Sequence, residues 1–179
     1  KFMDIKCRAA GIWPSAVVLV ATVRSLKYNA GIPKAELSLP NTEAVRVGFA
    51  NLEKHIENMQ SFGIPCVVAS NRFYTDTEEE LALVRYLCHA KGVRFAPAEI
   101  FARGGEGGEE LAREVLSILD DPDEKTVPHY MYELSDSVEN KIKALATKIY
   151  GAAEVNILPE AKEKISGFEK LGYGNLPIC

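Results

Sequence analysis

The sequence has little excess charge, and the excess that it has is acidic. Lysine and arginine number 21 against 25 aspartates and glutamates, which gives a formal net charge of −4. Binding to nucleic acid or to an anionic membrane surface requires a basic surface that releases counterions. The composition therefore argues against both kinds of partner.

Long hydrophobic runs are also missing. The longest, residues 16–22, is far too short to cross a bilayer, and no basic segment followed by an apolar one opens the chain. The 179 residues are 47% hydrophobic and 26% charged, a composition that can bury a globular core. We therefore predict a soluble cytoplasmic protein without a membrane partner.

Cysteine and histidine are few and scattered. The cysteines are Cys7, Cys66, Cys88 and Cys179, and the histidines are His55, His89 and His129. No cysteine lies in a C-x-x-C or C-x-x-H spacing, which favours structural thiols over metal ligands or disulfides. No serine or cysteine nucleophile motif lies near a histidine, so we expect the histidines to be structural or solvated. The sequence thus predicts no metal site.

The order of elements over residues 1–119 predicts an α/β fold. The predicted strands cover residues 16–23, 66–70 and 93–96, and the predicted helices cover 41–61, 77–91 and 107–119. Strands that alternate with helices form a parallel sheet with right-handed crossovers. Because the first strand is apolar throughout, we expect it to be buried on both faces. Residues 24–31 are predicted as a loop or short helical turn at its carboxyl end.

A charged segment with Pro122 is the best candidate for a linker, which we place at residues 120–136. Two amphipathic helices are predicted beyond it, at 137–150 and 159–171. The predicted domains are therefore a parallel α/β portion over 1–119, similar to part of a P-loop NTPase, and a mostly helical segment over 137–179 that begins a further domain.

Residues 71–77 carry many polar and aromatic groups where the second predicted strand ends, which is where open α/β sheets bind ligands. The amide of Asn71 suits the edge of a base, but capping a helix or a turn is the alternative. Phe73, Tyr74 and Phe101 suit a stacking floor for a flat heterocycle, but core packing is the alternative. Residues 75–77 are explained first by helix capping and second by ligand contact.

The glycine segment GGEGG lies at residues 104–108, before a predicted helix. Its glycines would let backbone N–H groups approach a ligand. It matches neither G-x-G-x-x-G nor G-x-x-x-x-G-K-[ST], and Glu106 would repel a phosphate, so adenine or ribose suits it better. A flexible turn accounts for it equally well. Arg24 and Lys27, after the first strand, are candidate anion binders, with simple solvation as the alternative.

Six segments, taken in order and spacing, resemble the formate–tetrahydrofolate ligase family. They are KFMDIKCR (1–8), VATVRSLK (20–27), NLEKHIEN (51–58), NRFYTDT (71–77), GGEGG (104–108) and LGYGNLP (171–177). The resemblance runs over the whole chain. The family enzyme is longer, and its phosphate-binding glycine-lysine-threonine loop lies upstream of Lys1. We therefore expect this chain to be an internal fragment that is inactive alone.

The resemblance implies site residues for two ligands and no catalytic residue within this chain. For the nucleotide they are Asn71, Gly104, Gly105, Glu106 and Gly107; for folate they are Phe73, Tyr74, Pro97 and Phe101. Phe101 stands where the family usually has tryptophan, which keeps a stacking face but loses area and an indole donor. Tyr74 and Pro97 stand where the family commonly has proline and leucine, so the pocket wall is altered.

The reaction implied by the resemblance joins formate to tetrahydrofolate, using ATP with Mg²⁺ and a formyl phosphate intermediate. It gives 10-formyltetrahydrofolate for one-carbon metabolism. A monovalent cation and a homo-oligomeric full-length enzyme are further implications. The residues alone leave two alternatives. One is a P-loop kinase or GTPase-like switch, disfavoured because the Walker loop is missing and Tyr74 occupies the fourth position of N-K-x-D. The other is a noncatalytic α/β nucleotide-binding or interaction module.

Overall fold

The computed structural model describes all 179 residues, which fall into two compact units. The larger unit is Pro14–Val127, and the smaller combines Lys1–Trp13 with Pro128–Cys179. The chain passes between the units twice: once after Trp13, and once after Val127, within the predicted linker, of which residues 121–136 form no regular helix or strand. The predicted domain bounds stay a prediction.

In chain order the regular elements are α1 (Arg8–Ala10), β1 (Val17–Ala21), α2 (Val23–Asn29), α3 (Thr42–Ser61), β2 (Cys66–Asn71), α4 (Glu78–Ala90), β3 (Arg94–Ala98), α5 (Ile100–Arg103), α6 (Glu109–Asp120), α7 (Val138–Ala144) and α8 (Pro159–Lys170). Short 3-10 or π-helical segments add Phe2–Cys7, Lys34–Glu36, Gly104–Gly108 and Leu145–Ile149. The predicted alternation of strands and helices is confirmed, with most ends shifted by one or two residues. Three features were not predicted: the short helix α5, the 3-10 segment Lys34–Glu36 and the helical structure of residues 2–10.

The three strands form one parallel sheet in the order β1-β2-β3. Val17 pairs with Cys66 where β1 and β2 begin, and Asn71 pairs with Ala98 where β2 and β3 end. Parallel pairing places the carboxyl ends of all three strands at the same edge of the sheet. The predicted α/β class is confirmed.

The prediction that β1 is buried on both faces is wrong. Val18 and Val20 are 41% and 69% exposed, whereas Val17 and Leu19 pack against the core from the other face. β1 is an edge strand, and α6 packs against β2 and β3. A continuous apolar run predicts burial on two faces, but it does not reveal which neighbouring element is there to cover them.

Helices α2, α3 and α4 enclose the core on one face of the sheet. The most deeply buried members of this cluster include Val23, Leu26, Val45, Ile56, Val68, Val84, Cys88 and Phe95. Capping side chains precede α3 and α4: Asn41 accepts a hydrogen bond from the N–H of Ala44, and Thr77 accepts one from the N–H of Glu80. Local sequence therefore sets where these helices begin.

Gly48, a residue of low helix propensity in the middle of α3, lies where α3 packs against α2. A Cβ atom at this position would overlap the backbone carbonyl of Leu26. Only glycine allows the two helices to approach this closely. The low helix propensity of glycine is therefore offset by helix packing.

In the smaller unit, polar side chains join segments that are distant in sequence. The carboxylate of Asp4 accepts a hydrogen bond from the N–H of Met131, with an N–O distance of 3.0 Å. The buried ammonium of Lys141 donates to the carbonyls of Gly174 and Leu176, at 2.6 and 3.1 Å. These contacts fix residues 174–176 against α7.

Candidate functional site

The loops that follow the three strands meet at the carboxyl edge of the sheet. Asn71 ends β2, and the N–H of the next residue, Arg72, donates to the carbonyl of Ala98 at 3.0 Å. The strand pairing thus extends one residue beyond Asn71. The Asn71 side chain is exposed at this edge and does not cap α4, because Thr77 does. The capping alternative for Asn71 is therefore wrong for this helix.

The loop after β2 is held closed by its own aspartate. The Asp76 carboxylate accepts a hydrogen bond from the N–H of Phe73 at 2.9 Å, and the N–H of Asp76 donates to the Phe73 carbonyl at 3.0 Å. Thr77 and Glu80 then form a reciprocal capping box at the start of α4. The capping role predicted first for residues 75–77 is confirmed for Thr77 alone, because Asp76 closes the preceding turn and the Thr75 hydroxyl has no hydrogen-bond partner.

Asp76 is also a buried carboxyl group with incomplete hydrogen bonding. Its Oδ1 atom and the hydroxyl of Thr75 have no hydrogen-bond partner. Burial raises the pKa of Asp76 above its ordinary value of 3.8, although the hydrogen bond from Phe73 opposes the shift. The neutral form of this carboxyl is therefore favoured more than it would be in water.

Lys27 is not available to bind an anion. Its fully buried Nζ lies 2.8 Å from Oε1 of Glu80 and 3.0 Å from the Leu39 carbonyl. Glu80 also accepts hydrogen bonds from the backbone N–H groups of Asn41 and Thr77, at 2.8 and 3.0 Å. Burial opposes ionisation of Glu80, but these donors outweigh it and lower its pKa. The prediction of Lys27 as an anion binder is wrong, because an internal carboxylate already neutralises it.

Arg24, three residues earlier in the same helix, has a different environment. Its guanidinium carbon lies 5.1 Å from the centre of the Phe73 ring, a cation–π distance. Arg24 follows β1 and Phe73 follows β2, and both side chains are half-buried. This contact brings the first two loops of the edge together.

The glycine segment folds back onto the end of β3. The N–H of Glu99 donates to the carbonyl of Gly107 at 2.9 Å, and a Cβ atom at Gly107 would overlap the Glu99 carbonyl. Gly104 has a φ of +60°, a conformation that favours glycine. Gly107 is buried, whereas Gly104, Gly105 and Glu106 are exposed. The segment is a defined 3-10 turn in which two positions require glycine.

Electrostatics at this turn disfavour a phosphate. Glu106 lies within the turn, and Glu109 and Glu110 occupy the first turn of α6 directly after it. Arg113 and Arg85 pair with Glu109 and Glu110, so Glu106 is the carboxylate without a cationic partner that counters the favourable dipole of the helix start. A neutral base or ribose is therefore the better match.

The aromatic residues assigned to folate lie at different depths. Tyr74 is 98% exposed and Phe101 is fully exposed, whereas Phe73 is half-buried. Core packing, the alternative for these aromatics, is therefore wrong for Tyr74 and Phe101. Both rings are exposed to solvent at the carboxyl edge of the sheet.

Pro97 lies apart from these aromatics. It lines a cavity of about 380 Å³ between β3 and α4, together with Arg72 and Tyr86. Phe73 instead faces Arg24 on the β1 side of the edge. Asn71 pairs with Ala98, and the following residue, Glu99, bonds to Gly107, so these contacts link the two nucleotide-assigned positions. Two of the folate-assigned residues lie apart, Pro97 in the cavity and Phe73 beside Arg24. Both sets of ligand assignments stay predictions.

Sequence reasoning missed the ion pairs that connect the loops. Arg72, next to Asn71, pairs with Glu78 in α4 and lies 3.5 Å from a carboxylate oxygen of Glu99 after β3. The capping role of Glu80 could have been predicted from the sequence, because a Thr followed three residues later by Glu is a capping-box pattern. Its partner Lys27, 53 residues away, leaves no local signal.

The thiols and imidazoles do not form a nucleophilic site. Burial raises the pKa of Cys66 to about 11 and that of Cys88 to about 12, so neither is a thiolate at neutral pH. Cys7 is buried as well, and Cys179 is exposed. All three histidines are exposed. The prediction of structural thiols is confirmed for the three buried cysteines.

A three-stranded parallel sheet flanked by helices defines this part of the chain as an α/β protein, a class whose members bind ligands at the carboxyl edge of the sheet. No helix here combines the length and hydrophobicity needed to cross a bilayer. A family model described as formate–tetrahydrofolate ligase matches residues 1–179, and the chain belongs to this family. The resemblance inferred from the six segments is confirmed.

A curated relative shows the same relationship and its extent. This chain is 48% identical over 179 residues to the formate–tetrahydrofolate ligase of Parabacteroides distasonis. The alignment covers 100% of this chain and 32% of that relative. The chain therefore spans about a third of the length of the curated relative that it matches.

Proposed function

We propose that this chain forms the central part of an ATP-dependent ligase that joins formate to tetrahydrofolate and gives 10-formyltetrahydrofolate. The observation that carries the proposal is the family match over all 179 residues. In the proposed reaction ATP phosphorylates formate, and the folate amine attacks the resulting formyl phosphate. We place this reaction in cytoplasmic one-carbon metabolism and expect the full-length enzyme to be a homo-oligomer.

For the nucleotide, we propose contacts from Asn71 and from the turn formed by Gly104, Gly105, Glu106 and Gly107. The exposed amide of Asn71 offers one donor and one acceptor to the edge of a base. The exposed backbone at 104–106 lets a flat ring or a ribose approach closely. Because the carboxylate of Glu106 lies within this turn, the phosphates would extend away from it.

For folate, we propose that Phe73 and Phe101 stack on the pterin, with Tyr74 and Pro97 forming walls. The fully exposed ring of Phe101 would gain most from stacking, since a flat ligand would remove its face from water. Residues of this chain would thereby orient the folate amine toward formyl phosphate, which is catalysis by positioning. We assign no catalytic residue to this chain.

The proposed reaction also uses Mg²⁺, which neutralises phosphate charge when bound, and a monovalent cation. The chain brings together no group of three or more His, Cys, Asp or Glu side chains that could hold a metal ion. We assign neither cation to residues of this chain.

The test uses the full-length ligase that carries this sequence, with formate, ATP and tetrahydrofolate. We expect 10-formyltetrahydrofolate, detected by chromatography, and none when any one substrate is omitted. The isolated 179 residues should give no turnover. Failure of the full-length protein to form product with all three substrates contradicts the proposal.

The chain contains no G-x-x-x-x-G-K-[ST] segment, which makes a noncatalytic nucleotide-binding or interaction module the second candidate. A module of this kind would bind ATP in equilibrium dialysis without hydrolysing it. Product formation by the full-length ligase decides against this candidate.

A further inference from the structure

Arg24 is the only arginine in this chain without a carboxylate partner. The other seven lie within 4.0 Å of an aspartate or glutamate oxygen; they are Arg8, Arg46, Arg72, Arg85, Arg94, Arg103 and Arg113. The chain has more acidic than basic residues, yet none is placed beside Arg24. Its guanidinium makes one directed contact, with the ring of Phe73.

This contact holds the guanidinium in place without neutralising it. The ring of Phe73 attracts the cation at 5.1 Å but accepts none of its N–H donors in the way that an oxygen does. Arg8 also lies over an aromatic ring, that of Tyr130 at 3.8 Å, but it is paired with Asp4. Stacking on a ring therefore does not explain why Arg24 lacks a carboxylate.

Arg24 lies at the edge of the sheet where α/β proteins bind their ligands. It lies in α2, which starts directly after β1, so it stands at the carboxyl edge of the sheet. Lys27, the other cation of this segment, is neutralised by Glu80. Glu106, which has no cationic partner, lies on the β3 side of the edge, and Arg24, which has no carboxylate partner, lies on the β1 side.

We propose that Arg24 binds an oxyanion of the ligase substrates, a phosphate or a carboxylate, beside Phe73. The inference rests on the proposed function, because that function supplies the ligands. A guanidinium donates two parallel hydrogen bonds to either oxyanion, and stacking on Phe73 orients it before the ligand arrives. The phosphates that extend away from the acidic glycine turn provide one such group, and formate or the folate carboxylates provide the other.

The kinetic test uses the full-length ligase and three variants. Arg24→Met keeps an unbranched stem on Phe73 and removes the charge, and Arg24→Lys keeps the charge but loses the paired donors. Arg113→Met is the matched control, because Arg113 is exposed and pairs with Glu109 on α6. KM is measured separately for ATP, formate and tetrahydrofolate, and melting curves check folding.

We expect Arg24→Met to raise KM for one substrate by about ten- to a hundredfold, since a hydrogen bond to a charged group is lost. Arg24→Lys should recover part of this change, and Arg113→Met should match the unaltered enzyme. A change in the KM of ATP identifies a phosphate, and a change in the KM of formate or folate identifies a carboxylate. If Arg24→Met and Arg113→Met give the same three KM values, the inference is overturned.

A direct measurement separates this inference from the proposed function. In the 179-residue chain, the Nε–H signal of Arg24 in ¹⁵N NMR should shift when inorganic phosphate or formate is added. A saturable shift together with an inactive full-length protein would reject the ligase and keep the anion site. A signal that moves with neither anion would reject the site, whether or not the enzyme is active.

Discussion

Lys27 and Glu80 form a fully buried ion pair, 2.8 Å from Nζ to Oε1, between residues 53 positions apart in sequence. Lys27 belongs to the helix after β1, and Glu80 belongs to the helix after β2. Glu80 also accepts hydrogen bonds from the N–H groups of Asn41 and Thr77. One carboxylate thus fixes the starts of α3 and α4, and with them the chain segments that lead into these two helices.

Removing either partner of this pair should destabilise the chain. Lys27→Met or Glu80→Leu leaves an uncompensated buried charge, and we expect a loss of about 3–5 kcal/mol in the free energy of unfolding. The double variant should lose less than the sum of the single ones, because no charge is stranded. Urea unfolding followed by circular dichroism measures each value. Arg113→Met, which breaks an exposed pair, should change it by less than about 1 kcal/mol; single variants that match this control contradict the prediction.

Two neighbouring carboxyl groups should give opposite dependences of stability on pH. The folded pKa of Glu80 is lowered from 4.5, so its contribution is complete above the unfolded pKa and is lost as pH falls through the folded value. The folded pKa of Asp76 is raised from 3.8, so its contribution is complete below the unfolded pKa and is lost as pH rises through the folded value.

Substitution of each carboxyl by its amide separates these contributions. From about pH 3 to about pH 7, Asp76→Asn should become more stable relative to the unaltered chain, and Glu80→Gln should become less stable. Melting temperatures measured across this range provide the comparison. Two variants whose differences from the unaltered chain do not vary with pH would show that neither group is linked to folding.

Gly48 and Gly167, each within a helix, should respond oppositely to alanine. A Cβ at Gly48 would overlap the Leu26 carbonyl, so Gly48→Ala should destabilise by about 1–3 kcal/mol through overpacking. A Cβ at Gly167 in α8 would meet nothing within 4 Å, so Gly167→Ala should stabilise by about 0.5–1 kcal/mol through helix propensity. Thermal unfolding tests both, and stabilisation by Gly48→Ala would refute the close helix contact.

Gly107 and Gly105 form a matched pair in the glycine turn. Gly107→Ala should displace the turn from the Glu99 carbonyl and weaken ATP binding by the full-length ligase, whereas Gly105 has open space for a Cβ. We expect an increase in the dissociation constant for ATP of about tenfold for Gly107→Ala and less than about threefold for Gly105→Ala. Calorimetric titration measures both. Equal effects would show that the turn geometry does not matter for the nucleotide.

Asn71 and Phe101 should affect different ligands of the full-length ligase. Asn71→Ala should weaken ATP binding by about three- to tenfold, the value of one neutral hydrogen bond, and leave folate binding unchanged. Phe101→Ala should weaken folate binding by a similar factor through lost stacking and leave ATP binding unchanged. Each ligand is the control for the other variant, and an unchanged affinity for the assigned ligand rejects that assignment.

The elements predicted correctly are those set by neighbouring residues. Asn41 and Thr77 bond to backbone N–H groups three residues ahead, so their patterns are visible in the sequence. The acidic first turn of α4 and the apolar runs of β2 and β3 are equally local. The parallel alternation, and with it the gathering of the loops at the carboxyl edge of the sheet, could therefore be predicted from the sequence.

The features that escaped prediction depend on distant residues. Gly48 is explained only by Leu26, and Lys27 only by Glu80. Val20 is exposed because no element covers the outer face of β1, and the apolar sequence of the strand cannot indicate this. Burial of a single side chain depends on what packs against it. For that reason the location of the carboxyl edge could be predicted from the sequence. The sequence could not show that Lys27 has a buried carboxylate partner and Arg24 has none.

The uncovered side of β1 affects how this chain behaves at high concentration. The strand has a free edge with unpaired backbone groups, and its exposed valines are β-branched and uncharged. Strands with these properties are templates on which a second molecule can add its own strand. The 179-residue chain should therefore self-associate as its concentration rises, and Val20→Lys is the simplest substitution to improve its solubility.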